Sequence, residues 1–217
     1  MEIDLSTILF GAWGILLNRF AGQEDVVFGI AEGAAGLLPL RLKINPAAQA
    51  EPWLVNVAAQ ARNAARNRID DPRQIHLWSG LPADMPLYET AIVCDAQWRG
   101  ERPALFIEAH LSGESLKLCA DYERARFCED AVVGVLESLA ALLTGIALES
   151  RRPISELSLI NDRQLRKQLI EWNFPQSATL ESYLFHRLFE EQVARSPRAP
   201  ALTFREETLC YEELDGG

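Results

Sequence analysis

The sequence holds three histidines, His76, His110 and His186. Histidine is the usual choice for moving a proton at pH 7. His76 stands in the stretch Gln74-Ile75-His76-Leu77-Trp78-Ser79, with Asp84 a few residues on. Ser79, His76 and Asp84 can therefore be written down as nucleophile, base and orienting carboxylate. No Gly-x-Ser-x-Gly elbow supports that trio, so the signal is weak. His110 ends an apolar run next to a turn, with no carboxylate placed in sequence to orient it. His186 is read as a helix-surface residue. The cysteines, Cys94, Cys119, Cys128 and Cys210, form no Cys-x-x-Cys pair and stand at no zinc-like spacing from a histidine. Buried reduced thiols, and no metal, are the expectation. Gly33 and Gly36 lie among alanines, with no following Lys-Ser/Thr and no G-x-G-x-x-G spacing, so no phosphate-cradling loop is predicted.

The bulk composition narrows the function classes. A chain of 217 residues with 48% hydrophobic residues is large enough for a packed core. Its net charge of -10 argues against nucleic-acid binding, which needs a basic face. No run of eighteen apolar residues is present, so no membrane span is predicted and no membrane partner is assigned. Met1–Phe20 lacks a basic start and carries apolar residues at helical spacing, so it is not read as a signal peptide. The expected location is the cytoplasm.

Periodicity places the candidate residues on elements. Leu5, Ile8, Leu9, Ala12, Trp13, Leu16, Leu17 and Phe20 form one helical stripe, capped by Asp4 or Ser6 and stopped near Gly22. Trp13 and Phe20 are predicted to pack in the core. Asp25–Gly29 predicts a short buried strand, and Leu37–Ile44 a second one that Pro39 pushes toward a sheet edge. A turn over Asn45–Pro52 leads to a helix over Trp53–Arg68. Arg62, Arg66 and Arg68 on its outer side read as a solvated basic face, or as a docking patch for an acidic partner. Asp70–Pro86, with prolines at 72, 82 and 86, reads as a long irregular stretch of the kind that often carries function. Tyr88–Gln97 predicts a central strand, and Leu105–His110 pairs with Ser115–Tyr122 as a hairpin. Glu129–Leu148 predicts a long helix whose broad apolar face, including Val132 and Val133, packs against a sheet. The fold class is α/β, of the layered α+β kind.

These elements carry a resemblance. Leu5–Gly29, Leu38-Pro39-Leu40-Arg41, Trp78-Ser79, Pro86-Leu87-Tyr88-Glu89-Thr90, Asp121-Tyr122 and Arg126-Phe127 follow in order. They are similar to the C-terminal lobe of a nonribosomal peptide synthetase condensation domain. Arg152–Ile160, a helix over Asn161–Glu171, Trp172-Asn173, a helix over Tyr183–Arg195 and Ser196–Asp215 resemble its junction with an adenylation domain. The resemblance divides the chain into a condensation lobe over 1–150, a linker over 151–182 and the start of an adenylation domain over 183–217. It implies a chloramphenicol-acetyltransferase-like lobe, a mixed sheet packed by helices, with a tunnel between it and a second lobe.

The implied chemistry is amide formation between two carrier-bound thioesters. The implied partners are carrier proteins, an N-terminal condensation lobe and an adenylation domain. No cofactor binds directly; phosphopantetheine is carried by the partner carrier proteins. His76, Trp78, Ser79 and Arg41 are the expected tunnel-lining residues, and no catalytic residue is assigned. The family motif His-His-x-x-x-Asp-Gly is absent from this sequence. The segment between Gly29 and Leu38 is also short, so the loop that helps to floor the tunnel is expected to be trimmed. The chain is thus expected to support amide formation only with a partner lobe. The alternative is a noncatalytic docking module for carrier or adenylation domains. A small independent acyltransferase using His76 is a third reading. An isolated lobe is also expected to be sticky on its tunnel face.

Overall fold

Helix α1 (Leu5–Ala21) starts where the Asp4 carboxylate accepts the Thr7 amide at 2.7 Å. It ends at Gly22, whose φ of 66° lets its N–H turn back to the Asn18 carbonyl. These caps satisfy groups that a helix end otherwise leaves open. The coordinates are a computed structural model that describes residues 3–31, 36–67, 72–82, 84–95, 98, 100–113, 115–160, 185–204 and 207–215. They divide into two units, Met1–Leu165 and Arg166–Gly217.

The first unit is built on a five-stranded sheet in the order β2-β1-β3-β4-β5. Its strands are β1 (Asp25–Ala31), β2 (Leu37–Lys43), β3 (Thr90–Cys94), β4 (Leu105–Ser112) and β5 (Ser115–Tyr122). Strands β1, β3 and β4 are parallel, while β2 and β5 are antiparallel edge strands. Pro39 sits on edge strand β2 opposite Gly29, where its missing N–H is tolerated. The β4–β5 hairpin keeps Ser112 opposite Ser115, with Gly113 in the turn at φ 59°. This mixed sheet packed by helices is the expected α/β architecture.

Period-two alternation gives the sheet two different faces. Phe28, Ile30, Leu40, Leu42, Ile92 and Ile107 join α1, α2 (Ala50–Arg66) and α4 (Glu129–Leu148) in the main core. Ala31, Ala91, Val93 and Phe106 form a smaller cluster, with Leu37 and Trp98 against it. Strand β3 is apolar on both sides for that reason. Each large side chain fully buried in the main core contributes on the order of 1.5–3 kcal/mol.

Several expectations need correction. Phe20 is 58% exposed, on a last turn of α1 whose residues 19–21 are all exposed. Helix α2 begins at Ala50 rather than Trp53, with Pro52 in its first turn, where a missing N–H breaks no helical bond. The stretch expected to be irregular contains helix α3 (Pro72–Ser79). Pro72 opens that helix instead of breaking it, and Pro82 follows its end. Helix α4 has the expected bounds but packs mainly on α1, with β5 as a lesser neighbour. Val132 is buried there, whereas Val133 is 47% exposed. Helix α4 is also long and apolar enough, by length and composition, to cross a membrane. Of its apolar residues, Val132, Leu139, Leu142 and Ile146 are buried in the main core. None of the cysteines is fully buried: Cys94, Cys119 and Cys210 are half-buried and Cys128 is exposed.

The stretch from Glu149 to Ile160 stays with the first unit. The amides of Ala50 and Glu51 donate to the carbonyls of Arg152 and Ser150, and those of Ile154 and Ser155 to Ala48 and Pro46. Arg19 donates to the carbonyls of Ile154 and Ser155, both at 2.9 Å. Ile154 and Leu157 are buried.

In the second unit, α5 (Phe185–Arg195) is followed by hairpin β6 (Pro200–Phe204) and β7 (Glu207–Cys210), then α6 (Tyr211–Asp215). The Phe189 and Tyr211 rings lie 5.8 Å apart. The Glu213 carboxylate accepts the Cys210 amide at 2.9 Å, and this bond holds its pKa below the ordinary value. The expected helix over 161–171, Trp172-Asn173 and the first two residues of the expected 183–195 helix lie outside the described residues.

Candidate functional site

The second sheet face of the first unit carries a cavity of about 570 Å3. Leu37 and Pro39 of β2 wall it on one side, Ile75 and His76 of α3 on another. Tyr88, just before β3, and Trp98, between β3 and β4, add aromatic surface. The volume lies within the range of small-molecule sites.

Each aromatic ring is seated on a glycine. A Cβ on Gly29 would come within 2.6 Å of Tyr88 Cε2, and one on Gly100 within 2.4 Å of Trp98 Cζ2. The Trp98 indole N–H donates to the Glu101 carbonyl at 3.1 Å, folding the loop back on itself. Burial pushes the Tyr88 phenol above its ordinary pKa, so it stays neutral and protonated at neutral pH.

Two arginines stand at the rim. Arg126 pairs with Glu89 at 2.9 Å and joins the turn after β5 to the segment before β3. Arg102 pairs with Asp121 and, at 3.6 Å, with Glu108. Its guanidinium also lies 4.9 Å from the Phe106 ring centroid. Both cations thus have partners inside the molecule.

The residues singled out from sequence do not form one site. His76 lines the large cavity, with Nε2 3.0 Å from the Pro82 carbonyl. A carbonyl only accepts, so that nitrogen carries the hydrogen. Ser79 Oγ donates to the His76 carbonyl at 2.6 Å and accepts the Leu81 amide at 3.2 Å. The hydroxyl thus holds the end of α3, and the imidazole holds the following loop. The hydrogen bonds do not link Ser79, His76 and Asp84 into a relay. Trp78 is 72% exposed and is not among the residues lining the cavity. Arg41 lines a separate cavity of about 280 Å3, beside Gln60, Asn63 and Asn67. It binds Asp25 through two hydrogen bonds, of 2.8 and 2.7 Å. The hydrogen bond from Arg41 holds the Asp25 carboxyl below its ordinary pKa. His110 lies on β4 opposite Lys117, and His186 is in α5. Among the described residues no three His, Cys, Asp or Glu side chains are grouped to hold a metal.

Sequence reasoning did not single out Trp98, Arg102, Arg126 or the ring of Tyr88 as site residues. Tyr88 and Arg126 stood in segments that carried the resemblance. The Trp98–Pro103 stretch offered only a mixture of aromatic, charged and turn residues between two strands.

No family model matches the chain. Two proteins of the linear gramicidin synthase of Brevibacillus parabrevis are similar to it, 29% identical over 250 residues and 26% over 247. Each match covers 99% of this chain and 5% of the synthase protein. Surfactin synthase subunit 1 of Bacillus subtilis (strain 168) is 22% identical, over 97% of this chain and 7% of that protein. These relatives are parts of nonribosomal peptide synthetases. The starter condensation domain of rhizomide synthetase RzmA superposes with a TM-score of 0.60 at 17% identity, covering 72% of this chain and 45% of that one. The chain carries a condensation-domain fold. The first condensation domain of the CDA synthetase agrees, with a TM-score of 0.60 at 15% identity over 73% of this chain and 42% of its own. The condensation-fold chain thus spans less than half of either solved condensation domain and about a twentieth of the gramicidin synthase proteins. The cavity lies on its mixed sheet.

Proposed function

We propose that the chain is the C-terminal lobe of a condensation domain and supports amide formation between two carrier-bound thioesters. The observation that carries this reading is the condensation-domain fold over 72% of the chain, matching 45% of a solved condensation domain. The ordered segments from Leu5 to Phe127 support the same half of the domain. In this reading the large cavity forms part of the tunnel wall, and an N-terminal lobe completes the tunnel. Carrier proteins bring the phosphopantetheine-bound substrates, the 183–217 region starts an adenylation domain, and the assembly works in the cytoplasm. The chain's own residues supply walls rather than a base. Ser79 Oγ donates to a backbone carbonyl and His76 Nε2 lies against another, which fits a supporting role.

Adding an N-terminal condensation lobe and two loaded carrier proteins to the chain tests this. Amide product that depends on the chain is expected. Absence of both complex and product would overturn the reading.

One observation favours a second reading, a noncatalytic docking module: the segment between Gly29 and Leu38 is short. Binding to carrier or adenylation domains without product in the same assay would select it.

A further inference from the structure

The large cavity has a charge balance that a role as plain tunnel wall does not require. Its rim holds two arginines and three glutamates, Glu89, Glu101 and Glu123. Arg126 is paired with Glu89, and Arg102 with Glu108 and Asp121. Glu101 and Glu123 have no ion-pair partner among the described residues, so the rim keeps two open carboxylates. Tyr88 and Trp98 add half-buried rings to the same lining, each packed against a glycine, Gly29 and Gly100. Aromatic faces attract cations, tryptophan most strongly, and an organic cation also has an apolar stem to bury. An anion would find both arginines already engaged and two carboxylates beside it.

We propose that this cavity binds an organic ammonium group, its stem against Tyr88 and Trp98 and its charge toward Glu101 and Glu123. This deepens, and rests on, the acyl-transfer reading: the substrate class is an aminoacyl group with a cationic side chain. The rings supply the buried contact and the carboxylates select the charge. Neither carboxylate is asked to move a proton.

The test is a calorimetric titration of the full 217-residue chain. The probes are Nα-acetyl-L-lysine methyl ester and the neutral Nα-acetyl-L-norleucine methyl ester. The lysine ester is expected to bind about tenfold more tightly, a difference near 1.4 kcal/mol. The double variant Glu101→Gln, Glu123→Gln is expected to remove that preference while leaving norleucine-ester binding and the circular dichroism spectrum unchanged. Trp98→Ala should weaken both esters. Added salt should weaken only the lysine ester. Equal affinity for the two esters, no heat from either, or a lysine preference that survives the double variant would each overturn the proposal. The titration involves no acyl transfer. Loss of amide formation with the lysine preference intact would sink the acyl-transfer reading, whereas loss of the preference alone would sink only this site.

Discussion

At the scale of single residues, the clearest constraint is the contact between Gly29 and Tyr88. Gly29 lies in a regular strand, opposite Pro39 on one side and Ala91 on the other. Its value is the absence of a side chain. A Cβ there would also approach the Ala91 Cβ to 2.9 Å, a second contact that cannot swing away. Gly29→Ala should therefore push Tyr88 out of place and destabilise the first unit by about 1–3 kcal/mol, as overpacking commonly does. Urea denaturation followed by circular dichroism measures this. A midpoint unchanged from the parent protein would show that Tyr88 is not held there. Ser79 and His76 show the opposite lesson. Both have the chemistry of catalysts, yet each holds backbone at the end of α3.

At the scale of elements, α4 is apolar on more sides than it can bury. Leu139 is fully buried, while Val133 on the same helix is 47% exposed. Leu139→Ala should cost about 2–5 kcal/mol of stability, by lost transfer energy and a residual cavity. Val133→Ala should stay within about 0.5 kcal/mol. Parallel denaturation curves decide it, and equal losses would mean that the exposed flank is covered in solution. The same helix shows what periodicity conveys. Its bounds were legible, as were the caps of α1 and the pairing of β4 with β5, because these follow from local chemistry. The exposure of Val133 and Phe20 was not, because a repeat does not say how far the neighbouring surface extends. Helix α3 was hidden by prolines that flank it rather than interrupt it. The cavity was least legible of all. His76 on α3, Tyr88 and Trp98 on either side of β3 and Arg126 after β5 meet in one cavity, a gathering that no short motif records.

At the scale of the whole molecule, apolar side chains remain on the outside. Leu77 is 76% exposed and Trp78 72%, with Met85 at 53%. Exposed apolar patches of sufficient size mark interaction surfaces. The chain should therefore self-associate, or bind an anilinonaphthalene dye, in proportion to concentration. Leu77→Glu combined with Trp78→Ser should reduce both effects. Sedimentation velocity showing a clean monomer, with no dye fluorescence, would contradict this expectation and with it the view that a partner lobe covers this face. Trp78, which matched the resemblance, lines neither the 570 Å3 nor the 280 Å3 cavity and is exposed instead.

The hydrogen bonds from 46–51 to 150–155 also have a mechanical meaning. The two segments run antiparallel, and Arg19 fastens the later one at Ile154 and Ser155. Tension applied from downstream meets buried Leu157 first, then Ser155 and Ile154, then Arg152 and Ser150, so these contacts load one after another instead of together. That is an unzipping geometry. Peeling the segment away would also pull Ile154 and Leu157 out of the main core, so burial resists the pull together with these bonds.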